Sequence, residues 1–466
     1  MTPDILIRNA EVNGRPGQDV RLSAGRIQEI GEGLTGGGEE IDARGGALIV
    51  GLIDHHIHLL ATAAQAGSLT LDDIDSPEAF AARLRQGLGS LPCGTWLRAV
   101  GYHDVAAGLL SRDDLDRLAP DHPVRLQDRT GALWILNSRA LALVEGGELP
   151  PTVERDADGR LTGRIWRGDA WLQSWIGRTP PPLGPIGAAL AGYGVTGAMD
   201  ASATTDADSA LVLADAVRSG DLPLRLRLMS AGPLRAPEDA AFAVGPLKIL
   251  LDDRDLPPID ELVARIAGAR GAGRKVAVHC VTAAELAVTL ASFDAAGARP
   301  GDRIEHGGMI PARAIDDIAR LGLTVVTQPG FVFERGERYL AEIEREEHQD
   351  LCRAASLRAA GIPLAASSDA PYGPLDPWTA MRAAVSRSTR AGRPLGPAEG
   401  VTPEDALALY QGGFARPGGD VRRVAVGEEA DLCLLKTNLR ETLAVLSADL
   451  VAATFLSGRC VYRAAG

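Results

Sequence analysis

Aromatic residues, cysteine and histidine are scarce in this chain of 466 residues. Phe, Trp and Tyr make up 4% of the sequence and apolar residues 45%, so we expect a large core built mainly from Ala, Leu, Val and Ile. The five cysteines are scattered and none forms a CxxC pair. This pattern argues against a disulfide framework and against a structural zinc site made of cysteine, and it predicts reduced thiols in the cytoplasm.

A surplus of basic residues and long apolar runs are absent as well. The chain has 48 Lys and Arg residues against 61 Asp and Glu, a formal net charge of −13, so neither nucleic acid nor an anionic membrane is an expected partner. No apolar run has the length of a membrane span, and the N-terminal MTPDILIRNAEV lacks the basic and apolar regions of a signal peptide. A homodimer is the default oligomer.

The middle of the chain alternates short apolar runs with Ala-rich helical patterns. Apolar strands between amphipathic helices are typical of a parallel sheet covered by helices, and eight such units predict closure into a (β/α)8 TIM barrel. An open doubly wound sheet is the alternative, although it usually has fewer strands. The eight runs are residues 47–58, 194–200, 222–231, 244–252, 275–281, 303–307, 323–330 and 362–371.

Both ends of the chain carry short β-prone segments. Neither end has enough apolar surface for a core of its own, so we predict that they complete one β-sandwich together. The interval after the first barrel strand is too long for one connection and is predicted to be an insertion near the active face. The β-prone segments are residues 4–9, 20–24, 26–30, 431–436 and 458–463. The predicted domains are a composite β-sandwich at 1–48 and 415–466 and a barrel at 49–414, with the insertion at about 60–185.

Candidate metal ligands end several of the apolar runs. His56 and His58 are two residues apart at the end of the first run, so on a strand both imidazoles point to one side and can bind one ion. His279, His306 and Asp369 end the fifth, sixth and eighth runs. A single polar residue at a strand end is more often a hydrogen-bonded core group. Four such strand ends predict a metal site, because barrel active sites are assembled at the C-terminal ends of the strands.

Lys248 lies among apolar neighbours in the fourth run, GPLKILLD. A buried lysine is costly unless it is paired or neutral. One interpretation is a salt bridge to Asp252, Asp253 or another barrel carboxylate. The other is that the amine takes up carbon dioxide and becomes a carbamate, a carboxylate-like ligand that can bridge two cations.

These motifs, taken in order, resemble a known family. The segments GLIDHHIH, LKILLD, VAVHC, RIEH, TVVTQP and AASSDAP are similar to those of the amidohydrolase superfamily. The branch they resemble is amidohydrolase family 3, which includes N-substituted formamide deformylase-like enzymes. The insertion (LDRLAPDHPVRLQ, WILNSRAL), the following GVTGAMD and the tail (GEEADLCLL, GRCVYR) also match that branch, so the resemblance covers nearly the whole chain.

The resemblance implies a barrel with a composite β-sandwich and one or two divalent ions, zinc being the expected metal. His56 and His58 would bind the deeper ion together with Asp369, and His279 and His306 would bind the second ion. Lys248 occupies the place of a bridging, N-carboxylated lysine. Three positions depart from the family pattern: relatives often have His at Ala132, Gly at Asp253 and a Gly-Asp pair shortly after His279, where this chain has Cys280-Val281-Thr282.

The predicted function is metal-dependent hydrolysis of a C–N bond in a small molecule, an amide, formamide or related group. A metal-activated hydroxide would attack the carbonyl carbon, and Asp369 would serve first as general base and then as general acid. Residues expected to contact the substrate are Tyr102, His103, Trp134, Asn137 and Gln328.

Two other functions stay open at this stage. A single-metal deaminase on the same barrel usually has a glutamate a few residues after the strand-five histidine, whereas here the first acid is Glu285. A barrel that binds ligands without catalysis is the other alternative, but the chain retains all five His and Asp candidates for the metal.

Overall fold

The computed structural model describes residues 4–36, 38–71, 74–89, 91–144, 149, 151–176 and 180–465. The chain forms two compact units. The first comprises Met1–Leu59 with Leu183–Gly466, and the second comprises Leu60–Pro182. Among the described residues, no helix is both long and apolar enough to cross a membrane.

The first unit contains a barrel of eight parallel strands, which pair with one another in chain order. Most of their residues are buried, as expected where helices cover one face and the barrel interior the other. The strands are β1 (Leu52–Ile57), β2 (Val195–Asp200), β3 (Arg225–Ser230), β4 (Ala243–Ile249), β5 (Val276–Cys280), β6 (Arg303–His306), β7 (Thr324–Thr327) and β8 (Leu364–Ala366).

The barrel is nearly closed between its first and last strands. Beyond the end of β8, the Asp369 amide donates a hydrogen bond to the His56 carbonyl at 2.8 Å, and the His58 amide donates to the Ala370 carbonyl at 2.9 Å. The backbone of the first strand is therefore tied directly to the segment that follows the eighth. The predicted TIM barrel is confirmed.

The first apolar run is not one strand, contrary to the prediction for residues 47–58. It divides at Gly51 into Ala47–Val50, which belongs to a different sheet, and β1. The Gly51 amide donates to the Asp431 carbonyl and the next amide, that of Leu52, donates to the Gly194 carbonyl. Both halves are fully buried, so hydrophobicity alone gives no sign of the change of sheet.

Strands from both chain ends share one eight-stranded sheet. The sequence predicts that the two ends combine, in the form of a β-sandwich. The core of the sheet is formed by apolar residues of both ends, including Ile7, Leu22, Leu432 and Phe455. The sequence analysis missed three of its strands: Glu39–Asp42, Ala47–Val50 and Val451–Leu456. The other five are Ile5–Val12, Arg15–Ser23, Arg26–Gly31, Leu432–Leu435 and Arg459–Arg463, and a separate two-stranded sheet joins Gly412–Gly413 to Arg416–Val421.

Helices follow most barrel strands, and capping side chains mark the start of some of them. Asp206 accepts the Ser209 amide at the start of the first helix after β2, and Thr282 with Glu285 forms a capping box after β5. The α-helices of this unit are Gly184–Gly192, Ala207–Ser219, Ile259–Gly271, Ala283–Ala296, Ile315–Leu321, Gly330–Glu342, Ala355–Ala359, Pro377–Ser386, Pro403–Ala408 and Leu439–Val445. Short 3-10 helices lie at Ala312–Ala314, Arg345–Asp350, Pro397–Glu399 and Ala448–Leu450.

The second unit has a six-stranded sheet and a core of its own. Phe80, Leu84, Tyr102, Leu115 and Leu126 are among its buried residues. Its strands are Leu69–Thr70, Leu97–Tyr102, Val124–Asp128, Leu133–Leu136, Val153–Arg155 and Leu161–Trp166. Its helices are Pro77–Gly89, Asp104–Ala107, Arg112–Leu118, Ser138–Ala142 and Asp169–Ile176; Leu59–Ala66 lies at the junction with the first unit.

Candidate metal centre

The predicted metal ligands of the first unit lie at or just beyond the C-terminal ends of barrel strands. His56 is in β1, Lys248 in β4 and His279 in β5, while His306 is the last residue of β6 and Asp369 follows β8 by three residues. His56, Lys248, His306 and Asp369 are buried, and His279 is partly buried. The parallel strands bring these ends to one side of the barrel, so residues far apart in sequence become neighbours.

Three of these residues meet closely enough to hold one ion. His56, His306 and Asp369 each offer a ligand atom, and the three atoms lie within 4.8 Å of one another. Oδ1 of Asp369 is 3.4 Å from Nε2 of His56 and 3.1 Å from Nε2 of His58. The His279 ring adjoins the group, with its centroid 4.5 Å from that of His306.

Two of the candidate ligands have a left-handed backbone. The φ angle is 70° at His306 and 51° at Asp369. Such angles are unfavourable for most residues with a side chain, and a functional site keeps them only where the surrounding structure holds them. At Asp369 the hydrogen bond from its amide to the His56 carbonyl is part of that support.

His56 is held by a buried charged pair that the sequence analysis missed. Its Nδ1 contacts Oε2 of Glu305, whose carboxylate also accepts from Nε and Nη2 of Arg303. Nη2 of Arg303 donates to the His55 carbonyl at 2.8 Å as well. Burial opposes ionisation of Glu305, yet Arg303 and Lys248 keep its pKa below the usual value, so it is a carboxylate at neutral pH.

His58 and His306 have neutral partners instead. Nδ1 of His58 lies 3.0 Å from Oγ of Ser202. Asp200 ends β2 and accepts the Ser202 amide at 3.0 Å, so the turn that carries this hydroxyl is fixed. Nδ1 of His306 lies 2.9 Å from Oε1 of Gln328.

Gln328, a predicted substrate contact, has its amide engaged on both sides. It meets His306 through Oε1, and its Nε2 donates to Oγ of Ser367 at 2.9 Å. The residue is buried beyond the end of β7. Through these contacts Gln328 orients the His306 ring. Its direct contact with a substrate stays a prediction.

Burial controls the protonation of the basic groups at this site. It lowers the pKa of His279 to about 4 and, together with Lys248, takes the pKa of His56 well below its usual value. The pKa of His306 falls in the same way, through burial and the neighbouring His279. These imidazoles are therefore neutral at pH 7, the form that binds metal ions.

Burial and neighbouring charges also set the pKa values of Asp369 and Lys248. Burial opposes ionisation of Asp369, but His306, His58 and His56 take its pKa well below the usual value. Burial lowers the pKa of Lys248 to about 8, against the opposing influence of Glu305 and Asp369. An ionised Asp369 thus faces a lysine whose neutral form is accessible near neutral pH.

Several polar atoms at the centre are buried without a hydrogen-bond partner in the described part of the chain. They are Nε2 of His56, Oδ1 of Asp369 and Nζ of Lys248. Buried polar groups are otherwise nearly always paired, so such a cluster indicates a missing partner. Imidazole nitrogen and carboxylate oxygen are donors suited to a divalent cation, and the residues present therefore fit one.

Four predicted substrate contacts lie in the second unit and have structural partners there. The Tyr102 hydroxyl donates to the Gly108 carbonyl at 2.6 Å, and Nδ1 of His103 accepts the Val105 amide at the start of a short helix. Trp134 packs beneath the guanidinium groups of two arginines, 5.5 and 5.6 Å from the ring centroid. Asn137 accepts the Val124 and Ala140 amides and donates to the Ala119 and His122 carbonyls. Their contact with a substrate stays a prediction.

Residues beside two of the departures from the family motifs have local partners. Asp252 pairs with Arg254, with N and O atoms 2.9 Å apart. Oε2 of Glu285 accepts the amides of Val281 and Thr282 at 2.6 and 3.0 Å, so this carboxylate caps the helix after β5. Glu285, the first acid after His279, is therefore occupied as a helix cap.

Of the site residues that the sequence analysis missed, Arg303 and Glu305 have a weak signal in the sequence. Arg303 and Glu305 are two charged residues of the same parity in a strand of only four residues, RIEH, that is entirely buried. Two such charges can survive inside a barrel only as a pair. Ser202 and Asp200 carry no comparable signal, because a serine and an aspartate after a strand are ordinary turn residues.

Comparison with known proteins identifies the family. A model of the amidohydrolase family matches residues 39–462, which is most of the chain. The chain belongs to the amidohydrolase family. This amidohydrolase is 27% identical to the N-substituted formamide deformylase of Arthrobacter pascens, over 93% of both chains. It is 24% identical to the putative amidohydrolase YtcJ of Bacillus subtilis (strain 168), over 91% of this chain and 90% of that one.

Solved structures agree on the fold. An uncharacterized metal-dependent hydrolase from Pyrococcus horikoshii OT3 superimposes with a TM-score of 0.74 at 20% identity, covering 93% of the amidohydrolase and 97% of the other chain. A corresponding protein from Pyrococcus furiosus gives a TM-score of 0.71 at 21% identity, covering 93% and 99%. The amidohydrolase thus has the barrel architecture of these hydrolases.

Proposed function

We propose that this amidohydrolase hydrolyses the C–N bond of an N-substituted formamide or a closely related small amide, with zinc as its metal. The observation that carries the proposal is the convergence of unpartnered, buried donor atoms of His56 and Asp369 beside the His306 and His279 rings. The similarity to a formamide deformylase over 93% of both chains supports the choice of substrate.

The metal would be held by His56, His58, His279, His306 and Asp369, of which His56, His306 and Asp369 already meet within 4.8 Å. When bound, a divalent cation lowers the pKa of water and polarises a carbonyl oxygen. The neutral, buried imidazoles and the ionised carboxylate are in the states that this binding requires.

Lys248 would complete a two-ion site as a carbamate. Its Nζ is buried without a hydrogen-bond partner in the described residues, although Glu305 and Asp369 are near enough to influence its charge. Addition of carbon dioxide to the neutral amine forms an N–C bond and releases one proton. The product supplies two carboxylate oxygens where the free amine has a single unsatisfied nitrogen.

Asp369 is the group that would move the proton. Its Oδ1 faces the centre and is ionised, so it can accept a proton from the attacking water. It would return this proton to the departing nitrogen, leaving formate and a free amine. The hydrogen bond from the Asp369 amide to His56 keeps the carboxylate at the centre while it changes charge.

A single-metal deaminase remains the alternative, and the position of Glu285 weighs against it. Glu285, the first carboxylate after His279, caps a helix through two backbone amides and is not free to carry protons. Release of ammonia in place of formate would distinguish the two reactions.

The proposal is tested by metal analysis combined with product detection. We expect about two zinc ions per chain in the wild type and one or none in Lys248→Ala, measured by mass spectrometry of metals. N-benzylformamide should give formate and benzylamine, and Asp369→Asn should lower kcat by about 10²–10⁴-fold, the range for loss of a general acid–base. Wild-type protein that binds metal but releases no formate from any N-substituted formamide would contradict the substrate, and absence of bound metal would contradict the whole proposal.

A further inference from the structure

Three candidate ligand histidines share one arrangement but have different partners. His56, His58 and His306 each direct Nδ1 to a protein group within hydrogen-bond distance. For His58 and His306 that group is a serine hydroxyl or a glutamine amide, both neutral. For His56 it is the carboxylate of Glu305.

The partner of His56 fixes the tautomer of its ring. An ionised carboxylate can only accept a hydrogen bond, so Nδ1 of His56 must carry the proton and donate it. Nε2 is then left with its lone pair. This is the atom that lies 3.4 Å from Oδ1 of Asp369 and lacks a hydrogen-bond partner in the described residues.

Arg303 restrains the carboxylate of Glu305. Arg303 donates to both of its carboxylate oxygens and also to the His55 carbonyl, which is the backbone group just before His56. Arg303 and Glu305 are both buried, with 1% and 0% of their surface exposed. The carboxylate therefore has little freedom to rotate away from the imidazole.

A charged partner makes an imidazole a stronger electron donor than a neutral partner does, and it also limits ring rotation. We propose that Glu305, clamped by Arg303, is a positioning residue that makes His56 the dominant histidine ligand of the barrel site. This rests on the proposed metal centre. Glu305 acts through His56 and does not touch the substrate.

Metal affinity, which can be measured without turnover, tests this role. Co²⁺ alone would be titrated into metal-free protein in competition with a chelator of known affinity, and the visible absorption of bound Co²⁺ would be recorded. Glu305→Gln keeps the shape of the side chain but removes its charge. We expect it to weaken Co²⁺ binding by about 10–100-fold and to change the absorption spectrum.

The chain offers a matched control in another buried glutamate with an arginine partner. Glu399 is 3% exposed and pairs with Arg353, away from the candidate ligands. Glu399→Gln is expected to lower stability while leaving Co²⁺ affinity within about twofold of the wild type. Ser202→Ala, which removes the neutral partner of His58, should weaken binding by less than Glu305→Gln does.

The outcomes separate this inference from the proposed function. Wild-type affinity in Glu305→Gln, or an equal loss in Glu305→Gln and Glu399→Gln, would overturn the positioning role while the metal site stands. Failure of the wild type to bind Co²⁺ would overturn the metal site first. If Glu305→Gln does not fold, Glu305→Asp is measured instead. It keeps the charge but withdraws the carboxylate by one methylene, so about tenfold weaker binding supports the role and wild-type binding overturns it.

Discussion

At the C-terminal ends of the barrel strands, neighbouring residues determine the orientation and protonation of each side chain. His55, His56 and His58 are close in sequence, yet only His56 and His58 turn Nε2 toward Asp369. Both ring nitrogens of His55 are buried without hydrogen bonds in the described residues, and its ring packs edge-on near Phe414. The alternation of side chains along a strand separates His55 from the two candidate ligands.

Glu285 provides a test at the level of one residue. Glu285→Gln keeps an acceptor for the Val281 and Thr282 amides but removes the negative charge at the helix N-terminus. We expect the free energy of unfolding to fall by about 1 kcal/mol, because the helix dipole and the cap both favour the carboxylate. Formate release should stay within about twofold of the wild type.

Urea denaturation and steady-state kinetics on the same preparations check this prediction. A general acid–base residue would show a loss of about 10²–10⁴-fold in kcat. Such a loss with unchanged stability would show that Glu285 acts in the reaction. It would contradict the helix-cap role and favour the deaminase.

At the scale of secondary-structure elements, the sequence gives no sign that the chain passes from one sheet to another at Gly51. Consecutive amides at Gly51 and Leu52 bond to different parts of the chain, so the backbone must pass closely between them. A Cβ added at Gly51 would lie 2.2 Å from both Cγ2 and Oγ1 of Thr196. No real Cβ sits that close, so glycine is required here for space.

Gly51→Ala is therefore expected to destabilise the protein by about 1–3 kcal/mol, the usual cost of overpacking a core. Thr196→Ala should recover part of the loss when combined with it, because the clash is with the Thr196 side chain. Gly268→Ala is the control, since a Cβ there meets nothing within 4 Å in the helix Ile259–Gly271. The control should be neutral or more stable by up to about 1 kcal/mol.

Denaturant unfolding of the three single variants and the double variant measures these differences. Equal stability of Gly51→Ala and the wild type would show that the backbone can shift between the two sheets at little cost. Recovery that is absent in the double variant would indicate that the strain lies in the backbone and not against Thr196.

At the scale of the whole molecule, carboxylates with lowered pKa values link stability to pH. Burial opposes ionisation of Glu399, but hydrogen bonds from Ser356 and Ala354 and the charge of Arg353 keep its pKa below the usual value for a glutamate. Burial opposes ionisation of Asp19 as well, but the amides of Asn9 and Leu34, together with Arg8, hold its pKa below the usual value for an aspartate. Both groups are ionised when folded at a pH where the unfolded chain already binds protons.

Stability should thus be lost as the pH falls. A lowered folded-state pKa contributes stability above the unfolded value and loses it progressively on acidification through the folded value. We expect the Tm of metal-free protein to begin to fall below about pH 6.5, because the unfolded chain protonates histidines that stay neutral when folded. It should fall further below about pH 4.5, where the carboxylates take up protons. Metal-free protein is used because acid also releases bound metal.

Glu399→Gln supplies the comparison for the pH dependence. It should be less stable at pH 7 by about 1–3 kcal/mol, since buried Arg353 loses one of its two carboxylate partners and keeps only Asp350. Its Tm should then fall less steeply between pH 5 and 3 than that of the wild type. Parallel curves for the two proteins would show that Glu399 makes no contribution to acid sensitivity.

The barrel could be predicted because its signal is repeated along the chain. Eight apolar runs, most separated by amphipathic helices, point to the same architecture, and an error at one run does not change the result. The six metal-ligand candidates followed from a related regularity, since strand ends of a barrel lie together whatever the loops do. The sequence analysis did not predict the boundary at Gly51 or the strand Val451–Leu456, because apolar character does not show which sheet a strand joins.

By itself, the sequence determined the class of fold, the family and the residues able to bind a metal. These depend on periodicity and on residue type, which are local properties. Only the tertiary structure decided that Glu305 orients His56, that Glu285 is a helix cap and that Lys248 is buried without a hydrogen bond in the described residues. Each of these is set by atoms from strands and turns distant in sequence, where burial and neighbouring charge fix the protonation and direction of a side chain.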